Sequence, residues 1–174
     1  MGIFQLNHAV LFVSDLERSV AFYTDVLGFR QVDMGGLRGA AFLKAADSTN
    51  DHDLGLFEVP GAGPSGAGRS TVGLYHLAWE VDTLDELQRV ALRLAEADAL
   101  TGSSDHGTTK SLYGHDPDGL EFEIVWIIPA SLLTDADREA GKRIRPLDLQ
   151  REIDRFGGRT RGGVGVSHNL AGTA

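Results

Sequence analysis

Two stretches of the chain, NHAVLFVSDLERSVAFYTDVLGF from residue 7 and YHLAWEVDTLDELQRVALRLAEADAL from residue 75, repeat one plan. In each, a His is followed five residues later by Val (Val13, Val81) and eight residues later by Leu (Leu16, Leu84), and the two His residues stand 68 apart (76 − 8). The alternation of LNHAVLFV and LYHLAWEV reads as a strand, and the spacing of Leu84, Leu87, Val90, Ala91 and Leu94 reads as a helix with one apolar stripe. Ser14-Asp-Leu-Glu17 and Thr83-Leu-Asp-Glu86 have the form of capping boxes that open the two helices.

Shorter strands are expected after each helix, at 30–34, 38–45 and 53–59, then at 99–103, 108–113 and 120–126. Each half therefore reads β-α-β-β-β. The fold class expected is α+β: paired β-α-β-β-β modules, about 4–60 and 73–128, in a single domain over 1–128. GAGPSGAGRS, at 61–70, reads as a flexible linker between the modules. The extension 129–174 is expected to be partly helical in SLLTDADREAGK and RPLDLQREIDRFGG. Its last stretch is too rich in Gly to pack by itself.

Charge and composition narrow the partners. A net charge of −9 without a concentrated basic patch argues against nucleic acid. No apolar run approaches the roughly 20 residues that span a bilayer, and the start lacks the basic and apolar regions of a secretory leader. With no cysteine, disulfides and thiolate chemistry are excluded and any metal must use His, Asp or Glu. A soluble, cytoplasmic protein is expected.

HDPDGLEFEIVW, at 115–126, sets two carboxylates into a stretch otherwise suited to a buried strand. Leu120, Phe122, Ile124 and Trp126 share one face, and Glu121, Glu123 and Val125 the other. An ionised carboxylate is rarely buried without a partner, so the second face meets either water or a positive charge. Asp116-Pro117-Asp118-Gly119 has the residue order of a type I turn, and Glu121 is expected to be solvated. If like strands of the two modules share one concavity, His8 and His76 take equivalent places on its wall, within reach of Glu123. Two imidazoles and one carboxylate are the set that suits non-haem Fe(II) and leaves coordination positions open.

NHAVLFVSDLERSVAFYTDVLGF, YHLAWEV and DPDGLEFE together resemble the vicinal oxygen chelate superfamily, which includes glyoxalase I, extradiol dioxygenases, fosfomycin-resistance enzymes and bleomycin-binding proteins. The resemblance covers about residues 4–128 and implies a cup-shaped mixed sheet around a metal. Within the superfamily the chain is most similar to type I extradiol dioxygenases. That likeness implies His8, His76 and Glu123 as metal ligands, Fe(II) as the metal (with Mn, Ni or Zn as alternatives), and a catechol-type aromatic diol and O₂ as substrates. It implies His52, in DHDLGLF, as the acid–base residue, and His106 with Tyr113 as partners of the substrate oxygens. An imidazole, with an ordinary pKa of about 6.5, suits proton shuttling. His115 and His168 receive no role. A small sheet-rich cup with a C-terminal arm commonly pairs with a copy of itself, so a homodimer is expected.

Two other functions use the same residues. A glyoxalase-type isomerase or lyase would recruit Glu58, five residues after Asp53 as Glu123 is five after Asp118, for a fourth ligand. A metal-free small-molecule binding protein of the same fold would need none of the three donors.

Overall fold

The computed structural model describes residues 2–3, 5–63 and 72–163. The expected linker from 64 onward with Thr71, and the tail 164–174 with His168, lie outside the described residues. Eight strands and four helices follow in order. They are β1 (Ala9–Val13), α1 (Leu16–Ala21) continued by a π-helical turn (Phe22–Val26), β2 (Arg30–Val32), β3 (Ala40–Lys44) and β4 (Leu54–Glu58), then β5 (Leu77–Glu80), α2 (Leu84–Glu96), β6 (Leu100–Asp105), β7 (Thr109–His115) and β8 (Glu121–Ile127), and last α3 (Asp135–Ala140) and α4 (Leu149–Phe156). The strands form two four-stranded mixed sheets, ordered β1-β4-β3-β2 and β5-β8-β7-β6, so the α+β class and the β-α-β-β-β modules are as expected. The first compact unit holds Met1–Thr71 with the turn Asp116–Leu120, and the second holds Val72–His115 with Glu121–Ala174.

Strand register shows the repeat to the residue. β1 runs parallel to β4 with Ala9 opposite Leu54, and β5 runs parallel to β8 with Leu77 opposite Phe122. In both modules the partner lies 45 residues on (54 − 9 and 122 − 77). The second set is displaced from the first by the same 68 residues that separate His8 from His76. The other sheet pairings are antiparallel, which the short loops of each meander permit.

Helix α2 forms as its pattern predicts. Thr83 caps it by accepting from the Glu86 N–H, and Leu84, Leu87, Val90 and Leu94 are buried along one stripe. Each such side chain contributes about 1.5–3 kcal/mol through its removal from water. The reciprocal half of the expected box is replaced, because the Glu86 carboxylate pairs with Arg89 and Arg93. The box at α1 is also corrected. Asp15 is the cap, accepting from the Arg18 N–H, while the Ser14 N–H and hydroxyl both donate to Asp118 in the 116–120 turn. A partner 104 residues away outcompetes the local one because a carboxylate accepts both donors and also draws the Arg18 guanidinium at 3.0 Å.

The extension folds onto the second sheet around buried charge. Lys110 on β7, Asp105 at the end of β6 and Glu152 on α4 are each 1% exposed. Lys110 Nζ donates to Asp105 Oδ1 at 2.5 Å. Glu152 Oε2 lies 3.2 Å from the ammonium, close enough for ionic attraction though not aligned for a hydrogen bond. Arg145 reaches Asp105 at 2.7 Å, and the two residues also pair through their backbones. Burial pushes the Asp105 carboxyl up, but its bonds to Lys110 and the Gly107 N–H, with the charges of Lys110 and Arg145, leave it lowered. Glycine is required at 107. Its φ is +76°, and a Cβ there would come within 2.3 Å of the Asp137 carbonyl and the Gly141 nitrogen.

Arg155 of α4 grips Asp137 of α3 with two bonds of 2.7 and 2.8 Å, and Thr134 closes a capping box on the same carboxylate. The Arg155 bond foremost holds the Asp137 carboxyl far below the usual range. A carboxyl depressed on folding stabilises the protein above its unfolded pKa of about 3.9, and that contribution is lost as pH falls through the folded value. Asp137→Asn should therefore cost about 1–3 kcal/mol at neutral pH and flatten the acid limb of stability below about pH 4, as read by urea unfolding across pH. Lys110→Met, which removes the cation shared by Asp105 and Glu152 and leaves Arg145 to the first and Arg151 to the second, should cost about 1–3 kcal/mol in the same assay.

Candidate metal centre

The carboxylate face of β8 is built by its two neighbours in the sheet. Antiparallel β7 sets Tyr113 opposite Glu123 and His115 opposite Glu121. Parallel β5 sets Ala78 opposite Glu123, so His76, one residue ahead of Leu77, follows the same register toward Glu121. Phe122, Ile124 and Trp126 point the other way and are buried. Two-residue alternation thus separates a core face from a chemical face on one strand.

Four expected residues meet on that face. His76 Nε2 and Glu123 Oε2 lie 3.1 Å apart. Glu123 Oε1 is 3.5 Å from the Tyr113 hydroxyl, whose oxygen is 2.8 Å from His106 Nε2. Burial, and next the Glu123 carboxylate, push the Tyr113 phenol up to about 12, so it remains a hydrogen-bond donor at neutral pH. His106 is placed by the hairpin between β6 and β7, whose ends are held by Asp105 and Lys110. The buried charge network therefore supports this side chain from outside the site.

His8 and His52 meet in the first unit. Their ring centroids are 4.4 Å apart, and the Phe42 and His52 rings meet edge to face with centroids 5.0 Å apart. His8 Nδ1 lies 2.7 Å from Asn7 Oδ1, and His52 Nδ1 is buried without a hydrogen-bond partner. Among the described residues no three His, Asp or Glu side chains already form a metal-binding group, and the second unit supplies a pair. That pair fits an ion. Two donors each about 2.1 Å from one metal and at right angles are about 3 Å apart, which is the His76–Glu123 separation.

Glu58 has other work. It is exposed, and its Oε1 accepts from the Leu16 N–H at 3.2 Å, at the start of α1. Through the 68-residue displacement, the first-module counterpart of Glu123 is Gly55, three residues from Glu58 and so on the opposite strand face. A Cβ at Gly55 would have Val10 Cγ2 at 3.4 Å and Phe42 ring carbons at 3.6 Å. Glu121 departs from expectation as well. It is half-buried between His76 Nδ1 at 3.9 Å and His115 Nε2 at 3.7 Å. Two-residue spacing from Glu123 was the available signal for its facing inward, and the His115 pairing needed the hairpin register.

The sequence profile of the Glyoxalase/Bleomycin resistance protein/Dioxygenase superfamily matches residues 5–124. The chain belongs to that superfamily. Within it, the chain is 34% identical over 122 residues to catechol-2,3-dioxygenase of Bacillus subtilis (strain 168), covering 68% of this chain and 40% of that protein. It is 33% identical over 121 residues to biphenyl-2,3-diol 1,2-dioxygenase 3 of Rhodococcus globerulus, covering 69% and 62%. The chain thus spans less than two thirds of the length of either enzyme. Among solved structures, a glyoxylase/bleomycin resistance protein/dioxygenase domain from Frankia sp. EAN1pec superposes with a TM-score of 0.59 at 25% identity, over 71% of this chain and 92% of that one. Helices α3 and α4 lie beyond the residues matched by the superfamily. No described helix is long and apolar enough to cross a membrane.

The Glu58 geometry yields a direct check. Glu58→Gln should leave the metal content of purified protein unchanged, measured by elemental analysis, because the residue serves a helix end.

Proposed function

We propose that this protein is an Fe(II)-dependent extradiol dioxygenase that opens a catechol-type aromatic diol with O₂. The observation that carries the reading is the convergence of His76, Glu123, Tyr113 and His106 on one face of one sheet. The relatives named above for catechol and biphenyl-diol oxygenation support it. His76 and Glu123 would hold the metal, and the resemblance to extradiol dioxygenases nominates His8, the 68-residue counterpart of His76, as a further ligand. Ferrous iron held there would supply redox chemistry between a diol and O₂, which zinc lacks.

The remaining residues of the chain position groups and move protons. The Tyr113 hydroxyl, kept protonated, donates to a substrate oxygen, while His106 Nε2 holds that hydroxyl in place at 2.8 Å. His52, with one buried and unpartnered nitrogen, is the proton carrier. The Phe42 ring packs against the His52 ring in an edge-to-face contact. The glyoxalase-type alternative loses its fourth ligand to the α1 contact of Glu58, and a metal-free binder leaves the His76–Glu123 pair without a purpose.

Protein reconstituted with Fe(II) under argon and then given catechol and air should form a yellow ring-opened product. His76→Ala should lose iron and activity together, and full iron retention in that variant would sink the assignment. His52→Ala should keep its iron and still bind catechol, yet turn over about 10²–10⁴ times more slowly. Iron loss in that variant would make His52 a ligand.

A further inference from the structure

The His76 imidazole lies between two carboxylates of one strand. Its Nε2 faces Glu123 at 3.1 Å, and its Nδ1 faces Glu121 at 3.9 Å. Nδ1 is buried and makes no hydrogen bond at this separation. A neutral imidazole carries one proton. Without metal, that proton can sit on Nε2 and be donated to Glu123. When Nε2 and Glu123 both turn to an ion, the proton must sit on Nδ1, where a buried N–H needs an acceptor. Glu121 is the carboxylate that faces it, its oxygen at 3.9 Å standing about 0.7 Å beyond the reach of an N–H···O bond. Its other oxygen faces His115 Nε2 at 3.7 Å, and the His115↔Glu121 register aligns the two residues across the ladder.

We propose that Glu121 is a positioning residue: it accepts the His76 Nδ1–H and so presents Nε2 to the metal, with His115 holding the carboxylate from the other side. This rests on the metal reading of His76 and Glu123. An outer carboxylate that fixes a ligating imidazole typically changes metal affinity 10- to 100-fold. It also explains why β8 carries an acid at both 121 and 123.

The test uses the full chain. Fe(II) affinity is measured under argon by competition with a chromogenic chelator for wild type, Glu121→Ala and Glu121→Gln. The His76 Nδ1–H proton is followed by NMR in ¹⁵N-histidine protein loaded with diamagnetic Zn(II). Glu121→Ala should weaken Fe(II) binding about 10- to 100-fold and abolish the slowly exchanging Nδ1–H signal. Glu121→Gln, which keeps an acceptor oxygen, should recover most of both. Wild-type affinity in the Ala variant, or a Gln variant as weak as Ala, overturns the role of Glu121. Wild-type protein that binds neither metal overturns the metal reading itself, and this inference with it.

Discussion

Everything at the site depends on where β8 sits in its sheet. Parallel pairing with β5 and antiparallel pairing with β7 make it an interior strand, hydrogen-bonded on both edges. Its register is therefore held twice. A slip of one residue against either neighbour would turn Glu121 and Glu123 into the core and Phe122, Ile124 and Trp126 out of it. The cost of burying two carboxylates keeps the chemical face where it is, so the apolar residues of the core also set the aim of the acidic ones.

A second constraint comes from the C-terminal extension. Lys110, Asp105 and Glu152 exclude water around opposite charges and tie α4 to the β6–β7 hairpin. Such a network adds little net stability over an apolar equivalent, but it tolerates few alternative arrangements. The hairpin it holds carries His106, which braces Tyr113. An element beyond the family's matched residues thus bears on a residue at the heart of the proposed chemistry.

What was legible in the sequence was periodic or local. The 68-residue repeat, the α2 stripe and the alternation of β8 each follow from short-range geometry, and they pointed to His76 and Glu123 sharing a wall, whereas Tyr113 and His106 came from the family resemblance. Strand ends moved by one or two residues, as at β6, which runs on to Asp105 because that residue still pairs with Lys110 of β7. The unread features join residues far apart in sequence. Ser14 turned from its own helix to Asp118, Lys110 found Glu152, and Glu121 met His76 and His115. The expectation of a solvated Glu121 failed because alternation names a face but not what stands across from it.

Gly55 has a consequence beyond the question of Glu58. It occupies, in the first module, the seat that Glu123 fills in the second, and a Cβ there would rest in ordinary contact with Val10 and the Phe42 ring. The two modules share a scaffold but no longer a chemical vocabulary. An acid reintroduced at 55 would lie beside an aromatic ring and an exposed Val10, where Glu123 has His76 and Tyr113, so the charge alone does not bring back its partners. For a designer seeking a second centre in this chain, the partners have to be rebuilt together with the charge.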